Sequence, residues 1–141
     1  MILYMDASAM VKRYVAEVGS QEVNTWIKNA RMVTTALVSR AEVSAALNRA
    51  ARLQMIKSAD CQSALDLFRN EWESFIRLPV SEFTVQRADQ LACRHNLRGY
   101  DAIHLACALI WQESIGDVVT IATYDQQLHQ AALDEGISLL P

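Results

Sequence analysis

Four acidic residues, Asp6, Glu42, Asp101 and Asp125, stand where a carboxylate can do more than cover the surface. Asp6 directly follows the apolar run Ile2–Met5, and Asp125 follows the β-branched run Val118–Ala122 after Thr123 and Tyr124. Both runs read as buried strands, which puts both acids at strand carboxyl ends. Glu42 lies in the first turns of a helix opening at Ser39, and Asp101 opens the helix after Leu97-Arg98-Gly99-Tyr100. In a parallel sheet flanked by helices, helix N-termini face the same rim as the strand carboxyl ends, so all four acids can converge. Carboxylates gathered at one rim repel one another unless a cation lies among them. Oxygen donors without a His or Cys cluster select a hard ion, Mg2+ or Mn2+, over zinc. Such an ion, bridging to phosphate, can activate a water and stabilise a leaving oxygen. The acids therefore point to phosphoryl chemistry, without specifying nucleic acid.

Each acid also has a purely local reading. Ser39-x-x-Glu42 matches a capping box, and Thr123-x-x-Gln126 is a second match. Asp101 and Asp125 can each be plain N-caps, and Asp6 can cap the helix that begins at Ser8. It is the set of four, not any member, that favours a site.

Other residues near these acids carry two readings each. Lys12, four residues after Ser8, can hold a phosphate or be a solvated helix lysine. Arg98, three residues before Asp101, can contact substrate or partner, or simply pair with that acid. His104 makes a D-x-x-H pair with Asp101, but its apolar neighbours Ile103, Leu105 and Ala106 favour a packed or hydrogen-bonded histidine. Trp26, Trp72 and Trp111 fall within amphipathic helical patterns and read as core or interface, not as base-stacking platforms.

The elements that must position these residues alternate between strand and helix. Helices are expected over Ser8–Val15, Gln21–Ala30, Ser39–Leu53, Ser58–Phe75, Thr84–His95, Tyr100–Glu113 and Asp125–Glu135, the last stopped by Gly136. Strands are expected at Ile2–Met5, Met32–Thr34, Ile76–Val80 and Val118–Ala122, with an edge strand at Ile137–Leu140. Strands separated by helices imply parallel pairing with helices on both faces.

Length and composition set the frame. A chain of 141 residues, 52% apolar and 21% charged, is expected to be one globular domain over residues 1–141. No apolar run reaches the roughly 20 residues of a membrane helix, and Asp6 cuts the first run too short for a signal peptide. Cys61, Cys93 and Cys107 are odd in number and far apart, which argues against disulfides or zinc and suits a reducing cytoplasm. The net charge of −3 is unevenly spread. Residues 1–98 hold all 13 Lys and Arg against 10 acids, whereas residues 99–141 hold 6 acids and no Lys or Arg. That split is compatible with a basic surface for a polyanion beside an acidic metal pocket, or with a tail that merely lacks cations.

Four segments resemble the motifs of PIN domains. Leu3-Tyr4-Met5-Asp6-Ala7-Ser8-Ala9-Met10-Val11-Lys12 is similar to the opening pattern of a hydrophobic strand followed by D-x-S-x-x-x-K. Arg40-Ala41-Glu42-Val43 resembles the second acidic motif, and Leu97-Arg98-Gly99-Tyr100-Asp101-Ala102-Ile103-His104-Leu105-Ala106 closely resembles the third. Thr123-Tyr124-Asp125-Gln126-Gln127-Leu128 resembles the fourth, T-x-D-x-x-L. They occur in the family's order and span nearly the whole chain. The size and bare form look like the VapC-type toxin nucleases of type II toxin–antitoxin pairs.

The resemblance implies a three-layer α/β/α sandwich on a mainly parallel sheet of four to five strands. It further implies a Mg2+- or Mn2+-dependent endoribonuclease that forms a homodimer and is inhibited by a cognate antitoxin lying along the active-site groove. Asp6, Glu42, Asp101 and Asp125 would be its acidic site, supported by Ser8 and Thr123 through hydrogen bonds. Lys57–Phe83 carries no distinctive motif, so substrate choice is expected to rest on such variable stretches.

Two other classes compete. A haloacid-dehalogenase-like phosphatase needs a second Asp where Ser8 stands, and a receiver needs a late Lys, yet no Lys follows Lys57. A non-catalytic dimer that binds only a partner or operator DNA would have no use for the complete acid set.

Overall fold

The computed structural model describes residues 1–141. Strand β1 (Ile2–Met5) is buried on both faces, as its unbroken apolar run requires. It leads through a short helix α1 (Ala7–Met10) and a 3-10 turn at Val11–Arg13 to α2 (Ser20–Asn29) and β2 (Met32–Ala36). Helices α3 (Ser39–Arg52) and α4 (Ser58–Glu71) follow, then β3 (Ile76–Leu78), α5 (Glu82–His95) and α6 (Gly99–Ile115). The chain closes with β4 (Val119–Ala122), α7 (Gln126–Asp134) and β5 (Ser138–Leu140). The first expected helix is thus shorter than Ser8–Val15, and the expected Ser58–Phe75 helix ends in a 3-10 turn at Trp72–Ser74. Ser81 caps α5 by accepting from Thr84 N, and Asn96 ends that helix in the left-handed conformation at φ 54°.

All five strands form one parallel sheet in the order β3-β2-β1-β4-β5. From β1 the chain first fills one side, then crosses to the other. The strand order therefore reverses between β1 and β4, the crevice where such sheets bind ligands. On β2, buried Thr34 and Thr35 satisfy their hydroxyls on the carbonyls of Leu3 and Met5 in the neighbouring strand.

Alternation along β1 divides the core. Ile2 and Tyr4 join Leu91, Leu105, Leu109 and Leu128 beneath α5, α6 and α7. Leu3 and Met5 join Val43, Leu47, Phe68 and Trp72 beneath α1, α3 and α4. The result is the α/β/α sandwich. Helix α6 is apolar almost all round because it packs against the sheet, α5 and α7 together. Phe68 is fully buried between the edges of Tyr14 and Trp72, and burying such a side chain is worth about 1.5–3 kcal/mol. No helix is long and apolar enough to cross a membrane, and the three cysteines are unpaired.

The uneven charge resolves into pairs within the chain. Arg31 meets Asp117, Arg87 meets Glu113, Arg94 and His95 meet Glu135, and Arg98 meets Asp101 and Asp125. Asp134, the sixth acid of the final segment, lies 3.8 Å from His95. The acidic segment is mainly the counter-charge of earlier cations. Exposed pairs of this kind neutralise more than they stabilise.

Candidate active site

The site grows from the crevice between β1 and β4. Leaving β1 in extended conformation, Asp6 caps α1, its Oδ1 accepting from Ala9 N at 2.9 Å. Ser8 Oγ donates to the same carboxylate at 2.8 Å while accepting from Tyr124 N at 2.8 Å. Thr123 Oγ1 donates to Asp6 Oδ2 at 2.7 Å and accepts from Asp125 N at 3.1 Å. Two hydroxyls thus tie one buried carboxylate to the backbone beyond β4. Burial pushes the Asp6 carboxyl pKa up, opposed by the charge of His104 and by its three hydrogen-bond donors.

Asp101 lies in the first turn of α6 and is 9% exposed. Its Oδ2 accepts from Arg98 Nε at 2.9 Å. Asp125 caps α7, Oδ1 accepting from Leu128 N at 2.9 Å, and its Oδ2 accepts from Arg98 Nη2 at 2.7 Å. Arg98 therefore bridges two of the four acids, with a side chain 70% exposed. Its hydrogen bond to Asp101 and the charges of both acids raise its pKa.

Glu42 does not form the capping box that the spacing allows. The hydroxyl of Ser39 is bonded instead to Thr35 at 2.7 Å, and the N-cap position of α3 falls on Val38. Glu42 is free to reach across the rim, where its Oε1 lies 2.7 Å from His104 Nε2. The other ring nitrogen of His104 lies 2.8 Å from Tyr4 Oη. Burial alone would lower the imidazole pKa, but Glu42 beside it, with Asp6 and Asp101 behind, holds it above the ordinary range.

Glu42, Arg98 and Asp101 line an open cleft of 680 Å³ with Val38, Tyr100 and Ile103. Lys12 is not among them. Its Nζ is held by Glu17 at 3.1 Å and Val18 O at 2.8 Å, and lies 4.3 Å from the centre of the Tyr124 ring. Trp26 stacks on the other aromatic of this region, Tyr124 itself, and Trp72 is core, as the helical pattern indicates.

In kind, the donors fit a hard divalent ion, being carboxylates only. As placed, no three of the acidic, histidine and cysteine side chains stand close enough to chelate one. Asp101 and Asp125 instead meet at the positive charge of Arg98. The four acids share a rim without sharing one coordination shell. Tyr4, read from sequence only as part of an apolar run, enters the site through His104. Period-two alternation, which puts Tyr4 on the same strand face as Asp6, is the signal that reveals it.

Comparison with known proteins identifies the fold and the family. The model of the PIN domain family matches residues 3–133. Ribonuclease VapC49 of Mycobacterium tuberculosis is 31% identical over 141 residues, spanning 99% of this chain and 95% of that protein. Among solved structures, PAE2754 from Pyrobaculum aerophilum superposes with a TM-score of 0.66 at 22% identity, over 99% of this chain and 83% of that one. A toxin–antitoxin complex from Klebsiella pneumoniae gives a TM-score of 0.65 at 14% identity, over 87% of this chain and 86% of that one. At such identities the structures attest the fold, and the family model with the full-length relative attests the kinship: this chain belongs to the PIN domain family.

Proposed function

We propose that this chain is a Mg2+- or Mn2+-dependent endoribonuclease, a single-domain cytoplasmic toxin held in check by a cognate antitoxin. The observation that carries the reading is the arrival of Asp6, Glu42, Asp101 and Asp125 at one rim, where the strand order reverses. The full-length relative named a ribonuclease supports RNA as substrate.

Asp6, Glu42 and Asp101 would hold the ion once their side chains draw together and Arg98 gives up Asp101, with Asp125 nearby. When bound, it supplies positive charge to the phosphoryl oxygens and makes water more acidic. The chain's own groups do the positioning. Ser8 and Thr123 fix the Asp6 carboxylate in one orientation at the rim. Arg98, long and exposed at the lip, serves as the phosphate contact. Lys12, tied to Glu17 and Tyr124, is the weaker candidate for that role.

Helix α3 carries Arg40 and Glu42 in its first turn and Arg49 and Arg52 in its last. None of these arginines makes a salt bridge, which leaves their charge for a polyanion or an acidic partner. Glu42 also borders an apolar groove lined by Val11, Val15, Ala46, Leu53 and Ile56, with Arg49 and Arg52 on its edge. This groove suits an amphipathic antitoxin segment with acidic flanks, and the similar toxin–antitoxin complex supports such a partner. Phe83 and Val85 on α5 and Tyr100 on α6 are exposed and give apolar surface to a second copy, as a homodimer needs.

Purified protein incubated with total cellular RNA tests the reading, with Mg2+ or Mn2+ against EDTA. Discrete metal-dependent fragments are expected, and none from Asp6→Asn or from a normally folded Asp101→Asn. Full activity of either variant would remove the proposed site.

A further inference from the structure

Tyr4, His104 and Glu42 form a line from the centre of the sheet to the cleft. Tyr4 is 0% exposed and His104 2% exposed, so neither ring is available to substrate. The rings meet edge to face, 6.0 Å apart at 71°, and Tyr4 Oη lies 2.8 Å from Nδ1. His104 Nε2 lies 2.7 Å from Glu42 Oε1. An ionised carboxylate can only accept, so the hydrogen of that bond sits on Nε2. In the neutral ring, Nδ1 then accepts from the Tyr4 hydroxyl; in the charged ring, it donates to it. In both forms the bond to Glu42 persists.

The contact joins two layers. Glu42 rises from α3, which packs on the Leu3 and Met5 face of the sheet. His104 belongs to α6, which packs on the opposite face with Tyr4. A glutamate has three side-chain torsions, and fixing them against solvent needs a partner that is itself fixed. Here the partner is an imidazole locked in the core. Glu42 Oε1 makes its only hydrogen bond to this ring, and Oε2 makes none within the chain.

We infer that His104, held by Tyr4, is a positioning residue that aims the Glu42 carboxylate into the cleft for the metal-dependent chemistry of this site. The inference rests on the reading of Glu42 as a metal ligand. It assigns a role to a histidine that touches neither substrate nor ion. Carboxylates and rings that orient a ligand in this way typically change metal affinity by about 10–100-fold when removed.

Mn2+ titration of the full chain, followed by the loss of the free-ion EPR signal, tests this without any turnover. His104→Met keeps bulk and removes the donor, and is expected to weaken Mn2+ binding by about 10–100-fold. His104→Gln, whose amide can donate from nearly the same place, is expected to restore most of it. Glu42→Gln weakens binding by itself, and adding His104→Met to it is expected to change nothing more. A merely structural histidine gives a loss that persists in the Glu42→Gln background, or no loss at all, and either result overturns the inference. Unchanged binding by Glu42→Gln overturns the ligand reading itself, and the inference with it. If circular dichroism melts show that His104→Met does not fold, Tyr4→Phe takes its place under the same two outcomes.

Discussion

Arg98 and Asp125 are joined by a 2.7 Å hydrogen bond from Nη2 to Oδ2, although one residue introduces α6 and the other caps α7. The same guanidinium holds Asp101 through Nε. A cation of the chain therefore already neutralises two of the acids that would have to hold a divalent ion. Replacing it removes a competitor. Arg98→Gln is expected to bind Mn2+ several-fold more tightly than the parent in calorimetry while cleaving RNA more slowly. Weaker Mn2+ binding by the variant would refute the competition.

Thr123 is the second point to test. Its hydroxyl donates to Asp6 and accepts from Asp125 N, so Thr123→Val keeps the shape and leaves a buried carboxylate one donor short. A loss of about 1–3 kcal/mol is expected in urea unfolding, together with reduced cleavage. Thr123→Ser restores both, if the hydroxyl is what matters.

Phe68 tests the second core rather than the site. Phe68 is fully buried and packs edge to face against Tyr14 and Trp72. Phe68→Ala is expected to cost about 3–5 kcal/mol in chemical denaturation. A cost below about 1 kcal/mol would mean that the layer collapses around the gap.

The pH dependence of stability has an identifiable contributor far from the cleft. The hydrogen bond from His95, then the hydrogen bond and charge of Arg94, hold the Glu135 carboxyl below its ordinary pKa of 4.5. A carboxylate with a depressed folded pKa stabilises fully above the unfolded value and loses that contribution as pH falls through the folded one. Thermal melts of Glu135→Gln should therefore lie below those of the parent at neutral pH and converge with them in acid. Parallel curves across that range would exclude Glu135 as the source.

The sequence announced most of the sheet because strands buried on both faces are short apolar runs, and Ile2–Met5 and Val118–Ala122 have few other readings. It placed Asp6 and Asp125 at strand ends for the same reason. It did not disclose how Glu42 is used. Ser39-x-x-Glu42 is a local pattern with a local explanation, whereas the partner that claims Ser39 is on β2 and the one that claims Glu42 is on α6. Tertiary bonds outcompeted a cap that the spacing allowed. The 3-10 turns that shorten two helices were equally hidden, since helix ends are decided by what the last side chains pack against. The charge split gave composition without geometry. Only the fold reveals that the late acids answer the early arginines.

The position of β1 has a consequence for the life of the chain. Of the five strands, the earliest in sequence is the middle of the sheet, with β2 on one side and β4 on the other. Asp6 therefore has its local donors Ser8 and Ala9 early, but lacks its third until a hydroxyl 117 residues away arrives. Contacts so distant in sequence form late and slowly. A nascent chain that has passed Asp101 already holds three of the four acids, yet lacks the strand that closes the crevice and the threonine that orients it. The rim is therefore complete only once β4, Thr123 and Asp125 have joined the sheet that β1 began.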